Sequence, residues 1–394
     1  MTARRNDCPG CGSMNIEPFY EVLNVPVHSC LMMSTIEEAE KFPRGDVVLG
    51  FCGNCGFIFN TAFDSSHSSY SAIYEDQQSY SPTFNAFAKR LARDLINKFE
   101  LRNKNLVEIG CGKGDFLALM CELGDNSGVG IDPTCVKERI RGAVANRITV
   151  IDDYYSEKYS GYTGDFVMCR HTLEHIPETS EFLSTLRKGI GGKLETNVFF
   201  EIPETVRVLR EAAFWDIYYE HCSYFTPGSL GRLFRYCGFD VEEIYLDYNG
   251  QYLLLDARPA PVKPEREHPL EESIESLKKD VDSFRARIKG VLESWRLKFD
   301  GYRGNSKKVA IWGSGSKCVS FLTTLGIEDI DLRVVDINPN RHGKYIPGAA
   351  MQVFSPESLR DFNPDTVMVM NPVYEDEIRG MLADMKLKPE VYSV

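Results

Sequence analysis

No stretch of the 394 residues approaches the roughly 18 consecutive apolar residues of a membrane span, so no membrane partner is expected. The opening MTARRNDCPG also lacks the apolar core of a secretory leader, and the expected location is the cytoplasm. Positive charge is in short supply: 45 Lys and Arg face 57 Asp and Glu, a formal charge of −12. A protein that grips phosphate backbones carries a basic face, so nucleic acid is not an expected partner. Cysteine is sparse too, twelve in all, where a disulfide scaffold holds roughly 8–10%. In a chain this long they read as cytosolic thiols plus a metal site. What is plentiful is apolar material, 43% of residues, enough for sizeable cores. At about 150 residues per domain the length suggests two or three.

Cys8-Pro-Gly-Cys11-Gly12 recurs as Cys52-Gly-Asn-Cys55-Gly56. A two-residue spacer lets both thiolates of a pair meet one ion, and the glycine accepts the tight turn that follows. Two such knuckles give a closed set of four sulfurs for Zn²⁺, with no position left for water. The metal is therefore expected to be structural, stapling a segment of residues 1–68 too small for a core of its own. Two redox pairs are the competing reading, but neither pair lies at a strand-to-helix turn. His28 and Cys30 are possible substitute ligands.

Residues 83–100 have apolar positions at helical spacing. Then Leu106-Val-Glu108-Ile runs into Gly110-Cys-Gly112-Lys-Gly114, a short strand, a glycine turn and a helix start. Asp132 ends a second apolar strand, Asp153 follows a third, and Arg170-His171-Thr-Leu-Glu-His175-Ile-Pro177 follows a fourth. Alternating strand and helix patterns predict a doubly wound parallel sheet. A dinucleotide site would be GxGxxG; here the third glycine is displaced and Glu108 stands in the strand. The four features in this order resemble the class I S-adenosylmethionine-dependent methyltransferases. That resemblance implies cofactor-binding roles for Glu108, Gly110, Gly112, Gly114, Asp132, Asp153 and Arg170. The glycine turn would face the methionine part, Asp132 the ribose and Asp153 the adenine amine.

The run from Phe214 to Phe225 is an aromatic cluster, ordinarily core, that also holds Tyr218, Glu220 and His221. On a helix, Tyr218 and His221 would share a face, bringing a phenol beside an imidazole. Residues 256–270 are rich in proline and charge and read as a linker, and residues 271–300 read as one long amphipathic helix. After it, Val309-Ala-Ile-Trp312 leads into Gly313-Ser-Gly315-Ser-Lys317, and Asp336 ends a further apolar strand, a second nucleotide-type pattern.

A paired-cysteine zinc domain, a central methyltransferase domain and a C-terminal Rossmann-like domain resemble the sugar C-methyltransferases over essentially the whole chain. The resemblance implies an α/β fold in three parts: residues 1–68 bind zinc, 69–256 form the doubly wound methyltransferase domain, and 257–394 form a linker helix and Rossmann-like substrate domain. It implies His221 as base, with Tyr218, Glu220 and His175 around it. The substrate would be a keto-deoxysugar carried on a nucleotide. Lys317 and Lys344 are candidate phosphate contacts, and surface lysines are the plain alternative. Where that family carries Tyr-x-Tyr-His, this chain has Tyr74-Glu-Asp76-Gln77, which puts Asp76 and Gln77 at the expected sugar contact and alters substrate identity. An O- or N-methyltransferase, or an NAD-linked oxidoreductase using the C-terminal turn, are the alternative functions.

Overall fold

The computed structural model describes residues 4–67, 77–262, 264–327 and 330–394. Asp76 lies outside them. The N-terminal sheet is antiparallel, with β1 (Ile16–Pro26), β2 (Arg44–Cys52) and β3 (Ile58–Asn60). The central sheet contains β4 (Asn105–Ile109), β5 (Ser127–Ile131), β6 (Ile148–Ile151), β7 (Phe166–Arg170) and β8 (Asn197–Pro203). The next strand, β9 (Ser223–Tyr224), leaves that sheet and pairs with β3, so the N-terminal sheet is completed by the segment that carries His221. β10 (Phe239–Asp247) and β11 (Tyr252–Pro259) then close the central sheet in the order β10-β11-β8-β7-β4-β5-β6.

The inner strands are apolar at nearly every position because both faces are covered. Period-2 alternation sorts them cleanly. Val107, Ile109, Val167, Cys169, Val198 and Phe200 share one core with helices Thr179–Ile190 and Pro227–Tyr236. Leu106, Phe166, Met168 and Phe199 share the other with helices Pro82–Lys98 and Asp115–Gly124. The doubly wound sheet is parallel through its centre and antiparallel towards one edge. β4 to β8 are parallel, but β11 runs antiparallel between β8 and β10. The cause is local: Tyr248, Asn249 and Gly250 all take positive φ, and this Asn-Gly turn reverses the chain at once.

In the C-terminal sheet, β12 (Val309–Trp312), β13 (Leu332–Val335), β14 (Val353–Phe354), β15 (Thr366–Val369) and β16 (Glu390–Ser393) are parallel, in the order β14-β13-β12-β15-β16. The long helix, Ile274–Gly304, ties this part to the N-terminal sheet. Its Phe284 stands edge-on to Phe19 and Tyr20, and its Trp295 edge-on to Phe321. The heptad-like face thus packs within the chain. Phe284 is fully buried, so Phe284→Ala is expected to cost about 3–5 kcal/mol in chemical denaturation.

Strand order reverses between β4 and β7 in one sheet and between β12 and β15 in the other. Ligands settle at such points, beyond the carboxyl ends of the strands. Both points open into one cleft of about 1050 Å³. No helix among the described residues is long and apolar enough to cross a membrane.

Candidate active site

β4 delivers the chain to the glycine turn, where Gly110, Gly112 and Gly114 have φ of +72°, +52° and +82°. Each needs the left-handed region, but for different reasons. A Cβ on Gly110 would lie 1.9 Å from Thr172 Oγ1, so this glycine lets the loops after β4 and β7 touch. A Cβ on Gly112 would meet nothing within 4 Å, so this glycine opens the backbone to the cleft. Asp132 braces the turn from β5. Its Oδ2 accepts from Gly112 N at 2.8 Å, and its Oδ1 accepts from Thr134 N and Oγ1, both at 2.6 Å. Asp153 also lines the cleft, accepting from Lys158 Nζ at 3.0 Å and from the Tyr159 hydroxyl. Gln77 lines the cleft beside the helix that follows the glycine turn: its amide donates to Asp115 Oδ2 at 2.7 Å and accepts from Arg139 at 2.9 Å.

Two observations test the fit of S-adenosylmethionine. Gly112 presents open space, and the buried Glu108 has an oxygen, Oε2, without a hydrogen-bond partner. Burial pushes the Glu108 carboxyl up to about 8, so it is a neutral donor facing the cleft. Both suit a polar ligand laid against the turn. Gly110→Ala should cost roughly 1–3 kcal/mol through the Thr172 clash. Calorimetry should show S-adenosylhomocysteine binding weakened by about tenfold or more, since the cradle itself moves.

Arg170 lines the cleft and is paired within the protein. Its guanidinium makes a two-pronged pair with Glu201, both bonds 3.0 Å, and its carbon lies 3.8 Å over the Phe116 ring. His171 joins them, with Nε2 2.7 Å from Glu201 Oε1 and Nδ1 3.7 Å from Glu174 Oε1. Burial works against the charged ring, but Glu174 and Glu201 outweigh it and hold His171 up at about 9. Its backbone is left-handed, φ 48°, pinned by donation from its N–H to Glu201 O at 2.8 Å. The stabilisation from this raised group is complete below the ordinary 6.5 and is lost as pH rises through about 9. The melting-temperature gap between wild type and His171→Gln should therefore be largest below pH 6.5 and shrink towards 9. This network went unread in the sequence. Its signal was Glu201, a lone acid inside the apolar strand NVFFEIP, which burial obliges to be paired.

The segment around Tyr218 and His221 is a turn rather than a helix, and His221 N donates to Tyr218 O at 3.2 Å. An i to i+3 turn also brings first and last residues together, and the two ring centres are 4.2 Å apart. His175 reaches in from the loop after β7, its ring edge-on to His221 at 4.8 Å. A carboxylate oxygen of Glu174 and ring nitrogens of His175 and His221 all lie within 4.8 Å of one another. Burial, then His175, His171 and Lys317, hold His221 well below the ordinary histidine value, so it is unprotonated at neutral pH. Burial keeps the Tyr218 phenol protonated.

Glu220 does not line the cleft. Its carboxylate accepts from Ser29 N at 2.8 Å and from the Ser29 hydroxyl, and lies 3.0 Å from His28 Nδ1. It ties the His221 turn to the N-terminal part. His28 and Cys30 are accordingly not cysteine-cluster ligands, since Cys30 Sγ lies 3.6 Å from Ser316 Oγ, across the cleft floor. The four knuckle sulfurs do meet. Cys8 and Cys55 are 3.6 Å apart, Cys11 and Cys52 are 3.7 Å apart, and all four lie within 4.8 Å. Sulfurs bound at about 2.3 Å around a tetrahedral ion stand about 3.8 Å apart, so this set fits zinc. Each knuckle closes the same way, with Gly12 N on Cys8 O and Gly56 N on Cys52 O, both 2.8 Å.

In the C-terminal part, Ser314 N and Oγ both donate to Asp336 Oδ2 at 2.7 Å, which engages the acid of the second nucleotide-type pattern. Lys317 lines the cleft but is paired with Asp216 at 2.9 Å and donates to Gln251 at 3.1 Å. Lys344 lies off the cleft. The buried Arg341, unnoticed in the sequence, lines it beside Ser314 and Asp336.

Residues 84–244 match the methyltransferase domain family, and residues 265–388 match the C-methyltransferase C-terminal domain family. Among curated proteins, C-methyltransferase NovU of Streptomyces niveus is 28% identical over 312 residues, covering 74% of this chain and 72% of NovU. Similar solved structures include an O-methyltransferase family protein from Burkholderia thailandensis, at 18% identity and TM-score 0.35, covering 45% of this chain and 58% of that one. Another is magnesium protoporphyrin IX methyltransferase from Synechocystis PCC 6803, at 16% identity and TM-score 0.34, covering 45% of this chain and 84% of that one. The chain thus carries a methyltransferase domain followed by a segment similar to the C-methyltransferase C-terminal domain, and it is an S-adenosylmethionine-dependent methyltransferase.

Proposed function

We propose that this methyltransferase methylates a carbon next to the ketone of a nucleotide-linked keto-deoxysugar. The carrying observation is the unprotonated, buried His221 between Tyr218 and His175, in one cleft with the glycine turn and the C-terminal strand ends. Oxygen or nitrogen acceptors hold lone pairs; a carbon acceptor must first lose a proton, and a base with a phenol beside it suits that need. The matching C-methyltransferase domain and the NovU likeness support the same reading.

S-adenosylmethionine supplies an electrophilic methyl group, and Glu108, Gly112, Asp132 and Asp153 are the residues proposed to hold it. His221 takes the proton from the carbon beside the carbonyl. The electron pair stays with carbon and oxygen as an enolate. Tyr218 donates to that oxygen, a contact worth about 3 kcal/mol in comparable sites. The C-terminal part covers the sugar nucleotide, with Arg341 lying beside Gly315 of its glycine turn. The proposed division of labour follows residues 1–68, 69–256 and 257–394. The four cysteines bind a structural zinc that takes no part in the chemistry.

The test is a set of nucleotide-linked keto-deoxysugars incubated with ¹³C-methyl-labelled cofactor. Carbon NMR should show the label bonded to a ring carbon. Label on oxygen or nitrogen would contradict the reading. The acid limb of kcat/KM should also fall below pH 6.5, because His221 titrates beneath its ordinary value.

A further inference from the structure

Glu174 is buried, at 2% exposure, and lines the cleft. One oxygen faces His171 at 3.7 Å; the other, Oε2, has no hydrogen-bond partner. A buried carboxylate oxygen left in this state is costly, and at a functional site it points to a partner that arrives during the work. The residue expected to serve the base, Glu220, is engaged by His28 and Ser29 and stands outside the cleft.

We propose that Glu174, rather than Glu220, is the positioning residue of the base: its carboxylate, within 4.8 Å of the ring, stands by the imidazolium that forms on His221. This rests on the proposed role of His221. In the step, the substrate C–H bond breaks, its electron pair stays on the enolate, and the proton moves to the His221 ring. Glu174 gains no proton. It supplies the opposite charge that a buried cation requires. Without it, the surroundings oppose protonation. His175 and His171 approach His221 from the loop after β7 and Lys317 from the helix Ser316–Leu325, and positive charge on these neighbours disfavours a cation on His221. Tyr218 and Tyr224 are neutral phenols against its ring, and Glu220, the next residue in the chain, is engaged by His28 and Ser29. Glu174 is the carboxylate within 4.8 Å of both histidines.

The test follows proton exchange at the ring carbon beside the ketone, in deuterated water, with S-adenosylhomocysteine bound and no methyl transfer possible. Glu174→Gln should slow exchange about 10- to 100-fold, the weight of one charge-assisted hydrogen bond, with inhibitor affinity unchanged. The acid limb of the pH profile should move to lower pH, which a purely structural defect would not do. Glu174→Asp keeps the charge but withdraws it, so exchange should slow less and the limb should stay nearer wild type. Wild-type exchange and an unmoved limb in Glu174→Gln would overturn the proposal. If that variant does not fold, wild-type exchange in Glu174→Asp overturns it instead. The two readings separate cleanly. If His221→Ala exchanges normally the base itself is wrong, whereas exchange lost in His221→Ala and intact in Glu174→Gln refutes Glu174 alone.

Discussion

His221→Ala should lower methyl transfer about 100-fold or more while leaving S-adenosylhomocysteine affinity at the wild-type value. The first half follows from the role: a ring 7% exposed, unprotonated at neutral pH, with a phenol at 4.2 Å and a second imidazole at 4.8 Å. The second half follows from position. The proposed cofactor contacts come from the loops after β4, β5 and β6, whereas His221 comes from the turn before β9. Stopped assays and calorimetry on the same preparation measure both. Imidazole added to the variant should restore part of the rate, which repacking alone would not explain. Turnover near wild type would remove the base from the mechanism.

Cys8→Ser should lose zinc, lower the melting temperature and lower turnover in the molecules that remain folded. Structural zinc contributes on the order of 10–16 kcal/mol in small zinc peptides, so the loss of order should be large locally. The sequence alone separates this metal from the chemistry; the structure joins them. The second knuckle runs into β3, whose Asn60 N donates to Cys222 O at 2.9 Å, one residue after His221. The first knuckle contacts the helix that follows the other histidine loop, where Pro9 O accepts from Ser180 Oγ at 2.7 Å. The turn that carries one imidazole, and the helix after the loop that carries the other, thus contact segments the cysteines fix. A displacement of about 1 Å at a reacting group costs roughly 100-fold. Metal analysis, thermal melts and kcat corrected for folded fraction check the three effects. Full turnover in zinc-depleted, folded protein would show that the knuckles do not position the histidines.

What was legible in the sequence was what backbone geometry forces. Glycines at 110, 112 and 114 all proved left-handed, and Asp132 sits where a strand after the turn must leave it. The knuckles were legible for the same reason, since spacing alone aims two sulfurs at one point. The long helix was legible as an amphipathic face, but not the surface that covers it. Partner choice was hidden. Arg170 was expected at the cofactor and is paired with Glu201; Lys317 was expected on phosphate and is paired with Asp216. A lone cation in a sequence does not show which acid the fold will bring to it. Glu220 sits beside His221 in the chain, yet adjacent side chains diverge in a turn, and its carboxylate faces the N-terminal part. β9 was hidden too: two residues are too few for a strand pattern, and only the waiting edge of β3 makes them one.

The most direct test of carbon methylation is proton exchange by the inhibitor-loaded enzyme. A nucleotide-linked 4-keto-deoxysugar is held in deuterated water with S-adenosylhomocysteine and followed by NMR. Deuterium should appear at one ring carbon beside the ketone with the wild-type protein, and not with His221→Ala. A sugar that is methylated in the full reaction, yet never exchanges that proton in wild-type enzyme, would contradict the account.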